Sequence, residues 1–131
     1  MNTAPLATQS PTVLVIDDDD FSQEVISAML KAQGIDRVQC VGNGREALRL
    51  MAEQPARPDY LICDIFMPDM DGIEFVGQLV SLRYPGNLIL VSGGSAEMLG
   101  IAKTVAEING LKVLGALRKP LSMAELAQAT S

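Results

Sequence analysis

Residues 13–24 read VLVIDDDDFSQE: four apolar residues, four consecutive aspartates, then a helix-like start. The apolar run shows no polar alternation, the pattern of a strand buried on both faces. LIC at 61–63 and LILV at 88–91 repeat it. Working outward, β-rich runs fall at 12–16, 37–41, 59–63, 87–91 and 112–117. Apolar residues spaced three and four apart separate them: Val25, Ile26, Met29 and Leu30; Ala47, Leu48 and Met51; Ile73, Val76, Leu79 and Val80; Leu99, Ala102, Val105 and Ala106; and a short stripe of Met123, Leu126 and Ala127. These are amphipathic helices whose stripes face a core. Gly34, the turn at Gly42 and Gly44, Pro85-Gly86 and Asn109-Gly110 punctuate them. Strands alternating with helices predict an α/β protein, a doubly wound parallel sheet of five strands with helices on both faces.

The bulk composition removes whole classes of function. A chain of 131 residues that is 48% hydrophobic and 20% charged forms one globular domain with a real core. A net charge of −6 offers no basic surface for nucleic acid or an anionic membrane. No apolar stretch approaches the roughly 20 residues of a membrane span, and MNTAPLATQS lacks the basic and apolar regions of a signal peptide. A cytoplasmic location is expected, with residues 1–11 as an N-terminal extension and 12–131 as the domain. Cys40 and Cys63, each inside an apolar run, read as small buried hydrophobes in a reducing compartment. The absence of histidine excludes His-based metal sites, Ser-His and Cys-His catalysis and any phosphohistidine role for this chain.

Open α/β sheets bind ligands beyond the carboxyl ends of their strands. Asp17 and Asp18 follow the first strand, Asp64 the third, Ser92 and Gly93 the fourth, and Lys119-Pro120 the fifth. Taken singly, each is a turn former, a cap or a solvated side chain. Together they bring three carboxylates, a hydroxyl and an ammonium to one edge. Carboxylates so close cannot all stay ionised without a counter-ion, and hard oxygen donors select Mg²⁺ or Mn²⁺. A divalent ion on carboxylates is the usual partner of a phosphoryl group, and a carboxylate can itself accept phosphorus as an acyl phosphate. Asp19 or Asp20 would cap the following helix, Asp20 having capping-box spacing to Gln23.

With VLVIDD, LICDIFMPDMDG, LILVSG and LRKP in this order, the sequence resembles the receiver domain of two-component response regulators over about residues 12–129. The resemblance implies a flavodoxin-like strand order 2-1-3-4-5. It implies that Asp64 takes a phosphoryl group from a histidine kinase or phosphotransfer protein, and that Asp17, Asp18, Asp64 and the Phe66 backbone carbonyl bind Mg²⁺. Ser92 and Gly93 with Lys119 would receive the phosphoryl oxygens, and the Lys119-Pro120 bond would be cis. The domain would be no enzyme beyond its own phosphorylation and dephosphorylation. It would signal to an output domain or effector, the fourth helix, fifth strand and fifth helix being the surface receivers use to dimerise or dock. The wording of SGGSAEMLGIAKTVAEINGLKVLGALRKPLSMAEL also looks like receivers joined to EAL-type cyclic-di-GMP phosphodiesterases.

The sequence departs from the family pattern in three places: Ala116 stands where receivers often carry Tyr or Phe, Phe66 where many have a polar residue, and Gly93-Gly94 give the next loop unusual backbone freedom. Two rival readings use the acidic run. A haloacid-dehalogenase motif needs Thr or Val where Phe21 stands, and an EF-hand loop needs Gly where Ser22 stands. A pseudo-receiver that keeps only the fold is disfavoured by the full set of acids, hydroxyl and lysine.

Overall fold

The computed structural model describes residues 11–53, 57–94 and 96–131; the expected N-terminal extension lies outside them except for Pro11. The elements alternate as β1 (Thr12–Ile16), α1 (Asp20–Ala32), β2 (Arg37–Val41), α2 (Gly44–Glu53), β3 (Tyr60–Asp64), α3 (Gly72–Ser81), β4 (Asn87–Ser92), α4 (Ala96–Ile108), β5 (Lys112–Arg118) and α5 (Met123–Ala129). All pairings are parallel and the order is β2-β1-β3-β4-β5. The chain runs outward from β1 to β2 and returns on the other side as β3, so the crevice between the ends of β1 and β3 is the switch point.

Alternate residues of each central strand serve opposite faces. Leu14, Ile16, Leu61, Cys63, Leu88 and Leu90 meet Ala47 and Met51 of α2, Phe75, Val76 and Leu79 of α3, and Leu99, Ala102 and Ala106 of α4. Val13, Val15, Ile62, Ile89 and Val91 meet Ile26 and Leu30 of α1 and Leu126 and Ala129 of α5. Each fully buried aliphatic or aromatic side chain contributes about 1.5–3 kcal/mol, so the central strands anchor both layers.

Several expectations need correction. Cys40 is exposed, because β2 is an edge strand with a solvent-facing side; its sulfur lies 3.4 Å from the Ser27 hydroxyl. Met123 is 45% exposed, and Ala129 joins Leu126 in the core instead. Helix α3 closes before Pro85-Gly86: Leu82 is its cap and Arg83 takes a positive φ of 55°. Gly34 and Gly110, both at φ 87°, end α1 and α4 as the sequence suggests. In β5 the register against β4 slips between Leu88 and Ile89, which pair with Val113 and Gly115. The extra residue, Leu114, is thereby left 43% exposed.

Candidate functional site

The carboxyl edge gathers the residues that the sequence singles out. β1 ends at Ile16, and Asp17 follows it with its N–H on the Val41 carbonyl at 3.0 Å and its side chain buried. Asp64 is the last residue of β3, buried, and pairs with Val91, so Ser92 lies one residue farther along β4. Lys119 comes straight after β5, and the Lys119–Pro120 peptide is cis.

Lys119 is the centre of the constellation. Its Nζ donates to Asp17 Oδ2 at 2.7 Å, to Asp64 Oδ2 at 3.0 Å and to Ser22 Oγ at 3.1 Å. Asp64 Oδ1 accepts from the Phe66 N–H at 2.9 Å, and Asp17 Oδ1 from the Asp19 N–H at 2.9 Å. Carboxylate oxygens of Asp17, Asp18 and Asp64 lie within 4.8 Å of one another, with Asp18 exposed. One ammonium cannot neutralise three carboxylates. The donor set therefore fits a hard divalent cation, with water on its open positions, and offers no nitrogen or sulfur for a softer one.

Electrostatics sets the reactivity of these groups. Burial pushes the Asp64 carboxyl above its ordinary pKa, although the Phe66 N–H and the Lys119 ammonium pull it down. Desolvation works against the Lys119 ammonium, but the hydrogen bonds and charges of Asp17 and Asp64 outweigh it and hold its pKa above the usual value. The neighbouring Cys63 is an inert thiol, pushed far up by burial and further by Asp64 and Asp17.

Ser92 is wholly buried and its Oγ accepts from the Gly94 N–H at 3.0 Å. Gly93 lies against Lys119: a Cβ there would be 3.6 Å from Lys119 Cδ. Neither Gly93 nor Gly94 has a positive φ, so backbone freedom is not what they supply at rest. Gly94 answers a close approach instead, since a Cβ on it would stand 2.9 Å from Cε2 of Phe66. The Phe66 ring, 46% exposed, thus sits on the loop after β4, and Arg118 Nη2 reaches the Gly94 carbonyl at 3.2 Å.

The four aspartates separate. Asp19, not Asp20, caps α1, accepting from the Phe21 N–H at 3.3 Å; Asp20 is the first helical residue, where negative charge suits the dipole. Gln23 makes no capping box: its Nε2 donates to the carbonyls of Asp17 at 2.7 Å and Val41 at 3.1 Å, tying the ends of β1 and β2 together. The rival readings lose their geometry. A dehalogenase acid at Asp19 would have to leave the helix cap, and α1 begins at Asp20, inside the roughly 12-residue loop of an EF-hand.

Ser22, Gln23, Arg118 and Asp69 are the site's neighbours that sequence reasoning missed. Asp69 lies inside the LICDIFMPDMDG motif yet serves α2, accepting from the N–H groups of Gly44 at 3.1 Å and Arg45 at 2.8 Å. Ser22 and Gln23 had one available signal, their place in the first turn after the acids. An apolar cleft of about 340 Å³, lined by Phe21, Val25, Ile26, Pro120 and Leu121 among others, opens beside Lys119.

Residues 13–131 match the response regulator receiver domain family. The chain belongs to that family. Among curated relatives, this receiver domain is 34% identical over 114 residues to a protein-glutamate methylesterase/protein-glutamine glutaminase of Halalkalibacterium halodurans, covering 85% of the chain and 32% of that protein. It is 35% identical over 118 residues to a two-component response regulator of Arabidopsis thaliana, covering 87% and 20%. The receiver domain thus spans a third or less of these relatives. Among solved structures, a response regulator from Colwellia psychrerythraea superposes with a TM-score of 0.78 at 29% identity, covering 93% of this chain and 95% of that one. A response regulator receiver protein from Pseudomonas putida gives 0.77 at 25%, covering 94% and 97%. The receiver fold and membership of two-component signalling follow. Among the described residues, no helix of the receiver domain is long and apolar enough to cross a membrane.

Proposed function

We propose that this receiver domain accepts a phosphoryl group on Asp64 from a partner histidine kinase or phosphotransfer protein, in a reaction that needs Mg²⁺ or Mn²⁺. The observation that carries the reading is Lys119 Nζ bridging Asp17 and Asp64, with an oxygen of Asp18 within 4.8 Å of theirs. An Asp64 oxygen forms its bond to phosphorus as the phosphorus–nitrogen bond of the donor breaks. The departing imidazole nitrogen keeps the electron pair and takes a proton from water. Asp17, Asp18, Asp64 and the Phe66 carbonyl would hold the cation, which when bound would neutralise charge on the transferring group. Lys119 supplies a second positive charge there, and Ser92 and Gly93 line the side that receives the phosphoryl oxygens. The cleft beside Lys119 supports approach of an apolar partner surface to this edge.

The domain works as a cytoplasmic signalling module whose only chemistry is on itself. Phosphorylation adds charge beside Ser92 and Lys119. Ser92 Oγ then exchanges the Gly94 N–H for a phosphoryl oxygen, and the loop seated on Phe66 and held by Arg118 shifts with α4. Ala116, packed at the edge of the core, has no ring to rotate, which supports this route over an aromatic one. The surface of α4, β5 and α5 would present the change to an output domain or effector, or to a second copy. Coupling to a cyclic-di-GMP phosphodiesterase of EAL type rests on sequence wording alone. Intact-mass measurement with acetyl phosphate, with and without Mg²⁺, tests the central reading: Asp64→Asn should abolish incorporation in a folded protein. Labelling retained in that variant would refute it.

A further inference from the structure

We infer that the Ser22 hydroxyl is a positioning residue for Lys119, the one anchor that keeps the ammonium at the reacting edge when its carboxylate partners are taken by others. The inference rests on the phosphoacceptor reading above. A lysine ammonium has three N–H donors and no acceptor. Here all three are engaged, by Asp17 Oδ2 at 2.7 Å, Asp64 Oδ2 at 3.0 Å and Ser22 Oγ at 3.1 Å. The first two acceptors belong to the acidic cluster itself, whereas the third comes from the first turn of α1.

Ser22 is oriented for the task. Its single proton goes to Asp19 Oδ2 at 3.1 Å, and Asp19 is the N-cap of α1. The hydroxyl therefore faces Lys119 as an acceptor, in a directed chain from ammonium to hydroxyl to cap carboxylate. Both other anchors are contested. A divalent cation on Asp17, Asp18 and Asp64 draws on the same carboxylates that Lys119 uses, and a phosphoryl group on Asp64 would take an oxygen of that carboxylate as well. An ammonium tied only to them would lose its anchors at the moment its charge is needed. The flexible four-carbon stem would then leave it free to swing into the adjoining cleft, which Lys119 and Ser22 both line. Ser22 stands outside that competition, so Lys119 keeps one fixed bond and delivers its charge to the transferring group.

The test compares the parent chain with Ser22→Ala, Ser22→Thr, Lys119→Ala and the double variant Ser22→Ala/Lys119→Ala. Phosphorylation by acetyl phosphate at saturating Mg²⁺ is followed by intact mass. Ser22→Ala should slow labelling roughly three- to tenfold, the loss of one positioning hydrogen bond, and Ser22→Thr should restore it. In the Lys119→Ala background the Ser22 change should alter nothing, because the residue acts through the lysine. Equal slowing in both backgrounds, or none in either, overturns the inference. A second reading needs neither metal nor donor: hydrogen exchange of the Lys119 ammonium protons by NMR should quicken in Ser22→Ala and not in Ser22→Thr. Unchanged exchange in Ser22→Ala also overturns it, and this measurement decides where Lys119→Ala labels too slowly to time. Asp64→Asn, run alongside, reports on the phosphoacceptor reading by itself.

Discussion

Two glycines of one helix should respond to the same substitution with opposite signs. Gly72 opens α3, its N–H donating to the Ile65 carbonyl at 2.9 Å. A Cβ on Gly72 would lie 2.6 Å from Ile65 Cβ, 2.9 Å from Ile65 Cα and 2.9 Å from Ile65 Cγ2. Carbon atoms settle at about 3.5–4.0 Å, and because one of these is a backbone atom no rotamer change clears it. Gly72→Ala must push α3 away from the end of β3, an overpacking cost of about 1–3 kcal/mol. The better helix propensity of alanine returns at most about 0.5–1 kcal/mol, and less at a first helical position. A net loss of about 1–2 kcal/mol lowers Tm by roughly 3–10 °C for a domain of this size. Gly77, five residues on and exposed, has nothing within 4 Å of an added Cβ. Gly77→Ala should therefore stabilise by about 0.5–1 kcal/mol, which raises Tm by a few degrees. Ile65 adjoins Asp64, so labelling should slow in Gly72→Ala and stay at the parent rate in Gly77→Ala. Urea and thermal unfolding of the two variants with acetyl phosphate kinetics make the assay. Gly72→Ala as stable as the parent, or a loss in both variants, would refute the packing argument.

Three other outcomes follow from the acidic segments. Asp18→Ala should weaken Mg²⁺ binding, read by calorimetry, while Asp20→Ala leaves it unchanged. Asp19→Ala removes the α1 cap and should cost about 0.5–2 kcal/mol in urea unfolding, whereas Asp20→Ala should stay within about 0.5 kcal/mol; the reverse order would place the cap at Asp20. Desolvation raises the Asp69 pKa, but the N–H groups of Arg45 and Gly44 prevail and hold it below the ordinary 3.8. Its stabilisation is full above that value and is lost as pH falls through the lower folded-state value. Asp69→Asn should flatten the acid limb of the stability curve there, and an unaltered limb would show that the bonds from Gly44 and Arg45 do not depend on the Asp69 charge.

The sheet was legible because its central strands carry unbroken apolar runs, which only a two-sided core explains. Boundaries moved by one residue where a strand continued into the site, as β3 does through Asp64 and β4 through Ser92. The edge strands were harder, since half their residues face solvent: Cys40 looks core-like in its run and is not, and the slip before Ile89 turns Leu114 outward with no mark in sequence. Within the site, the residues named from the sequence lie at strand ends, where topology alone brings them together. Ser22, Gln23 and Arg118 act through side-chain direction, which composition and spacing do not encode. Phe66 and Gly94 looked like two unrelated departures from the family pattern. In space they are one feature, a ring that needs a missing Cβ.

The four aspartates of the opening stretch face four different problems, which is how like charges can stand in a row. Asp17 is buried and meets an ammonium and a backbone N–H; Asp19 meets the Phe21 N–H and the Ser22 hydroxyl at the start of a helix; Asp20 lies in the first turn, on the favourable end of its dipole. Each of these three is stabilised by the fold itself. Asp18 is not: it is exposed, and its oxygen points into a cluster whose one ammonium already serves two other carboxylates. A carboxylate beside Asp17 and Asp64 is understandable where a further positive charge arrives from outside, and this makes Asp18 the residue on which the proposed cation requirement most directly turns.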